Sequence, residues 1–245
     1  MGIDTSAIPR FGLPLTLPRP RVVAEWTSTA GRAGWPPAPA GEGRPVMLIP
    51  GFLAGDQSLT RMALWLRSGG YVPARSGIRW NVDCLAPIVA AVQQRLERAV
   101  AAAGRPALLV GQSRGGTIAR AVAVLRPDLV ATVVTLGSPL LDQLAVRPRT
   151  WPSIVGIGLL GTAGVPGLFS VRCLAGDCCA RASDAAVAPL PAGVRLISVY
   201  SRSDEIVRWQ SCLDPWAEHV EVNTSHLGMG MARPVWVALA ERLAG

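Results

Sequence analysis

Three features of the 245-residue sequence predict an α/β fold, with a mainly parallel central sheet and helices on both faces. Short apolar runs rich in β-branched residues alternate with segments whose apolar residues recur at helical spacing, the pattern of right-handed βαβ crossovers. One tight junction, Val110-Gly-Gln-Ser-Arg-Gly-Gly116, lies between such a run and such a helix. Half of the residues are hydrophobic and 16% are charged, enough for one large core and too apolar for a disordered chain.

Residues 1–44, rich in Pro, Gly and Ala, predict an N-terminal arm over the surface, with a candidate edge strand at Arg21–Trp26. Residues 45–245 predict a single domain. Val46–Ile49 is the first buried strand and ends in the loop Pro50-Gly-Phe-Leu-Ala-Gly-Asp56; a helix carrying Met62, Leu64, Trp65 and Leu66 follows. After the Gly69-Gly70 break, Tyr71–Ala74 predicts the next strand. From Cys84 to Ala103, Leu85, Ile88, Val89, Val92, Leu96 and Val100 fall on one helical face. The strand Ala107–Val110 leads into a helix reaching Leu125, and Leu129–Leu136 is a further strand ending at Gly137-Ser138-Pro139.

Residues 140–191 then lose the alternation. This segment holds three cysteines and the apolar stretch Ile154–Phe169, which five glycines and Pro166 break up too often for a spanning helix. Its place after a sheet strand suits a cap-like insertion over an active site, or equally a packed subdomain with no gating role. Val194–Tyr200 and the shorter Val220–Val222 restore the strand pattern, and Pro234–Leu243 closes the chain as a helix.

All 24 basic residues are Arg, and the net charge is +8. They are dispersed, without a basic stripe or aromatic platform, so no nucleic-acid partner is expected. The charge reads as a solubility feature or as mild attraction to an anionic membrane surface. Prolines at 9, 14, 18 and 20 leave no continuous apolar segment for a signal peptide, and the expected location is cytoplasmic. Cysteines 84, 173, 178, 179 and 212 do not follow zinc spacing, and adjacent Cys178 and Cys179 are awkward for a shared metal. Free thiols are expected, with one disulfide tying down the 173–179 segment as the alternative.

The junction at Ser113 has the form G-x-S-x-G, with strand before and helix after. Such a corner is tight enough that the neighbours of the central serine must lack side chains, which leaves the hydroxyl at the apex facing the N–H groups of the helix. An ordinary glycine-rich βα turn cradling a phosphate is the plainer reading. A P-loop is disfavoured, because its pattern needs a Lys after the last Gly and the sequence has no Lys.

A serine nucleophile needs a base, and there are two histidines. His219 begins the short final strand. His226 lies in the loop after it, where an open α/β sheet places its chemistry, and is preferred. Asp204, at the first turn after the strand ending at Tyr200, is the expected partner of the imidazole; Glu205 and Asp214 are its rivals, Asp214 reading as a turn residue before Pro215. Oxyanion donors, each worth about 3 kcal/mol in comparable sites, are expected from the backbone N–H groups of Arg114 and Phe52.

Together, Met47-Leu-Ile-Pro-Gly-Phe-Leu-Ala-Gly55, Val110-Gly-Gln-Ser-Arg-Gly-Gly116, Thr135-Leu-Gly-Ser-Pro139, Tyr200-Ser-Arg-Ser-Asp204 and Ser225-His-Leu-Gly-Met229 resemble bacterial α/β-hydrolases of the lipase and esterase type. The resemblance runs from about residue 45 to the C-terminus, and Ser, Asp and His follow in the order of that fold. It implies hydrolysis of a small-molecule ester or lipid-like substrate through an acyl-enzyme, without metal or organic cofactor. Pro50-Gly51 stands where such lipases usually carry His-Gly, and Gln112 where they usually carry His. An acyltransferase, a thioesterase or a peroxidase-like enzyme would use the same residues, and a non-catalytic binding protein would more often have lost one of them.

Overall fold

The computed structural model describes residues 20–244. Its sheet has six strands: β1 (Pro45–Ile49), β2 (Val72–Arg75), β3 (Ala107–Gln112), β4 (Val130–Leu136), β5 (Arg195–Tyr200) and β6 (Glu218–Glu221). They lie in the order β2-β1-β3-β4-β5-β6, and every neighbouring pair is parallel. Helices are α1 (Pro20–Thr27), α2 (Thr60–Ser68), α3 (Leu85–Ala103), α4 (Arg114–Leu125), α5 (Trp151–Thr162), α6 (Val171–Leu174), α7 (Ala180–Val187) and α8 (Arg233–Leu243). The chain is an α/β-hydrolase fold.

The apolar runs of β1 and β3 are buried along their whole length because both faces of the sheet are covered. Period-two geometry sends Met47, Ile49 and Leu109 to one face, where Leu96 of α3, Ile118 of α4 and Ala186 of α7 meet them. Val46, Leu48 and Val110 face the other way, onto Trp65 of α2 and Trp236 of α8. Each such Val, Leu or Ile contributes about 1.5–3 kcal/mol on burial. Trp65 and Trp236 stack with centroids 5.1 Å apart, and the Trp65 indole N–H donates to the Pro36 carbonyl at 2.9 Å. Arg120 of α4 is buried against Asp214 at 2.5 Å and also donates to the carbonyls of Val187 and Ala188, tying α4 to the end of α7 and to the loop before β6.

Two expectations change. Arg21–Trp26 is no edge strand; it lies within α1, where Arg21 and Glu25 form an i,i+4 ion pair and Glu25 reaches residues 224–225. The β-branched pair Val22-Val23 reads as a strand locally, and these tertiary contacts override it. Residues 1–19 of the predicted arm lie outside the described residues. The segment 140–191 also divides: α5 and α6 border the main cavity, whereas α7, which lends Ser183 and Val187 to that cavity, also buries Ala182, Ala185 and Ala186 in the core beside α4. Small alanines allow α7 this close approach and leave it no apolar periodicity to read.

Candidate active site

The sheet order reverses between β1 and β3, so their carboxyl ends open a crevice at one point. Ser113, the first residue after β3, holds φ 52° and ψ −125°, a left-handed-side conformation that costs a non-glycine residue about 1–3 kcal/mol. The corner closes because three neighbours lack side chains. A Cβ on Gly111 would clash with Gly115 and Gly116, one on Gly115 with the Ile49 carbonyl, and one on Gly116 with Ser138. The Ser113 N–H donates to the Leu136 carbonyl at 2.8 Å, and the Ser113 carbonyl accepts from Gly116 at 2.9 Å. Tertiary packing thus locks the strained residue in place.

His226 Nδ1–H donates to Asp204 Oδ2 at 2.6 Å, with both side chains buried. The other carboxylate oxygen of Asp204 accepts the N–H groups of Ile206 and Val207, each at 2.8 Å. Gly137, at φ 56°, makes room for the pair: a Cβ there would stand 3.0 Å from Asp204 Oδ2 and 3.4 Å from His226 Nδ1. Ser113 and His226 open onto the same cavity. The rivals lie elsewhere or act differently. The His219 ring pairs with the Asp214 carbonyl at 2.7 Å, Asp214 itself is committed to Arg120, and the Glu205 carboxylate accepts the backbone N–H of His226 at 3.1 Å.

Residues other than the expected triad hold the His226 loop. The amide of Gln112, the unusual residue of the elbow, donates to the His226 carbonyl at 3.1 Å. From α1, the Glu25 carboxylate accepts the Thr224 hydroxyl at 2.9 Å, the Ser225 N–H at 2.8 Å and the Ser225 hydroxyl. Burial pushes the Glu25 carboxyl up, but hydrogen bonds from Ser225, Thr224 and Arg21 outweigh it and hold the group below its ordinary 4.5. Ser225 in turn accepts the Gly228 N–H at 3.0 Å.

On the opposite side, Gly51 packs against Ser113 and its carbonyl accepts from Ala54 at 3.1 Å. Among the described residues neither the Phe52 N–H nor the Arg114 N–H has a hydrogen-bond partner. The loop is braced by Asn81, whose amide donates to the Pro50 carbonyl at 2.7 Å. The Arg114 guanidinium donates to Asn81 Oδ1 at 2.6 Å, to the Asn81 carbonyl at 2.9 Å and to the Asp83 carbonyl at 2.5 Å. Burial lowers this guanidinium to about 10, so it stays charged at neutral pH. No motif pointed to Asn81; only the fold brings it between Pro50 and Arg114.

The cavity above these residues measures about 1140 Å³ and is walled by Phe52, Leu85, Ile154, Phe169 and Leu174. That exceeds the usual range for small-molecule sites, about 300–1,000 Å³.

No protein-family model and no curated protein sequence matches the chain. Solved structures do. The mature form of the lipase BlEst2 from Bacillus licheniformis superposes with a TM-score of 0.61 at 12% identity, covering 84% of this chain and 94% of its own. A monoacylglycerol lipase from Paleococcus ferrophilus gives 0.56 at 14% identity, over 84% and 96%. A thioesterase domain from the curacin biosynthetic pathway gives 0.51 at 16% identity, over 85% and 93%. At these identities the likeness is one of fold.

Proposed function

On this α/β-hydrolase fold, we propose that the chain is a serine hydrolase that cleaves carboxylic esters through an acyl-enzyme. The observation that carries the reading is the strained Ser113 on the floor of an apolar cavity shared with His226, whose far ring nitrogen is bonded to Asp204 at 2.6 Å. With Nδ1–H donated to the carboxylate, Nε2 is the nitrogen left to act as base. It takes the Ser113 proton as the hydroxyl attacks the ester carbonyl. The N–H groups of Phe52 and Arg114 receive the oxyanion, the protonated histidine releases the alcohol, and water activated by the same nitrogen frees the acid.

Lipid-like acyl groups suit the cavity walls. Helix α5, which lends Ile154 to the wall, exposes Val155, Leu159 and Leu160 on its other side, which supports weak association with a membrane surface. Among the described residues no helix is long and apolar enough to cross a membrane.

Hydrolysis of p-nitrophenyl acetate, butyrate, octanoate and palmitate by the wild type, Ser113→Ala and His226→Ala tests the proposal. Activity lost in both variants with unchanged circular dichroism supports it, and the preferred chain length separates esterase from lipase. Full activity in Ser113→Ala, or none in the wild type, overturns it.

A further inference from the structure

Four of the five cysteines meet beside the cavity, three from residues 173–179 and one, Cys84, from a distant part of the sequence. Cys84 immediately precedes α3 on the body of the fold, Cys173 belongs to α6, and Cys178 and Cys179 form the turn into α7. Cys178 Sγ stands 3.0 Å from Cys173 Sγ and 3.5 Å from Cys84 Sγ. The sulfurs of Cys84, Cys178 and Cys179 all lie within 4.8 Å of one another. All five thiols are free.

The fifth cysteine is an internal control. Cys212 is buried among Val146, Tyr200 and Val207, behaving as a small apolar side chain. The other four face one another and the hydroxyls of Ser170 and Ser183. Two thiolates on one tetrahedral zinc ion stand roughly 3.8 Å apart, given metal–sulfur bonds of about 2.3 Å. The separations of 3.0 and 3.5 Å fall somewhat below that value, and the sulfurs of Cys84, Cys178 and Cys179 lie close enough together for one ion, whereas a disulfide needs about 2.05 Å and would leave two thiols over. Linear spacing hides the site because α3, α4 and β4 intervene between its two halves.

We infer that Cys84, Cys178 and Cys179 bind a thiophilic divalent cation of the zinc class, with Cys173, whose sulfur meets that of Cys178 at 3.0 Å, swinging in as fourth ligand, and that the ion staples α6 and α7 to the body of the fold. Each ligating thiol releases one proton to solvent, so four thiolates and one divalent ion carry a net charge of minus two. The half-buried Arg114 guanidinium, bonded to the carbonyl of Asp83 next to Cys84, offsets part of it. Exposed Cys178 gives the ion a way in. Cys173 and Leu174 also line the cavity, so the ion fixes part of its wall. The inference does not depend on the hydrolase reading.

The full chain, reduced and stripped with a chelator, is titrated with cadmium while the sulfur-to-metal charge-transfer absorption is followed. Saturation at one equivalent is expected, retained in Cys212→Ser and lost in Cys84→Ser and Cys178→Ser. In the wild type, one equivalent of zinc is expected to slow iodoacetamide labelling of Cys178 by at least about tenfold, a readout that needs no variant. Absence of the band in fully reduced protein, equal saturation in Cys84→Ser, or labelling unchanged by zinc overturns the inference. So does a Cys84–Cys178 or Cys173–Cys178 disulfide in the native protein together with failure to take up cadmium after reduction.

Discussion

Below the cavity, Pro50, Asn81 and Arg114 form one chain of directed hydrogen bonds, and Gln112, Glu25 and Glu205 form another around the His226 loop. Above it, Ile154 of α5, Leu174 of α6 and Phe169 between the two helices share one apolar cluster, with other apolar residues of α5 left facing solvent. Directed bonds fix positions to a few tenths of an ångström, whereas apolar packing fixes a volume and tolerates changes of shape. The side expected to handle charge is therefore rigid, and the side expected to receive the acyl group is adjustable.

The sharpest way to break this contrast is through the floor. Ser113→Ala and His226→Ala are expected to lower kcat/KM by about 10⁴–10⁶-fold, and Asp204→Asn by about 10⁴-fold, with thermal melting little changed. Steady-state kinetics on one p-nitrophenyl ester checks all three, and a loss of only a few-fold would remove the floor from the chemistry.

Next comes the brace. Glu25→Gln leaves the size of the side chain but weakens its bonds to Thr224 and Ser225, and is expected to lower kcat by about 10–100-fold with KM nearly unchanged. Because hydrogen bonding depresses the folded Glu25 carboxyl, its stabilising contribution is complete above its ordinary 4.5 and is lost as pH falls through the lower folded value. Acid unfolding followed by fluorescence should therefore be less steep below that pH in Glu25→Gln than in the wild type. An identical acid limb would leave Glu25 without this role.

Effects in the roof should be smaller and of another kind. Ile154→Ala is expected to shift the preferred acyl chain and raise KM by about tenfold while kcat holds, since a few methylenes of pocket contact are worth about 1–3 kcal/mol. A large fall in kcat would show the roof to be as exacting as the floor. Least of all, Leu159→Ser on the exposed side of α5 should change stability by less than about 0.5 kcal/mol and weaken binding to anionic vesicles in a flotation assay. Unchanged flotation would leave the membrane contact unsupported.

The sequence reveals those parts of this arrangement that depend on near neighbours. Strand, glycine, serine, glycine and helix occupy a dozen residues around Ser113, and His226 and Asp204 are each placed by the strand just before them. Glu25 could not be read in this way, because its partner Ser225 is 200 residues on and the local Val-Val pattern favours a strand. Gln112 reads as a departure from the lipase pattern, and only the fold shows what its amide holds. The thiol cluster and the docking of α7 fail for the same reason: both arise where separate segments meet.

The Glu25 brace also sets the order in which the site can be assembled during synthesis. At about 5–20 residues per second, α1 leaves the ribosome roughly 10–40 s before Thr224 and Ser225 exist. Ser113 and its elbow can form in that interval, but the loop bearing His226 comes last and closes onto a helix made first. Under the proposed mechanism, the nascent chain would carry its serine without its base until the loop after the final strand is made, and could not cleave an ester before then.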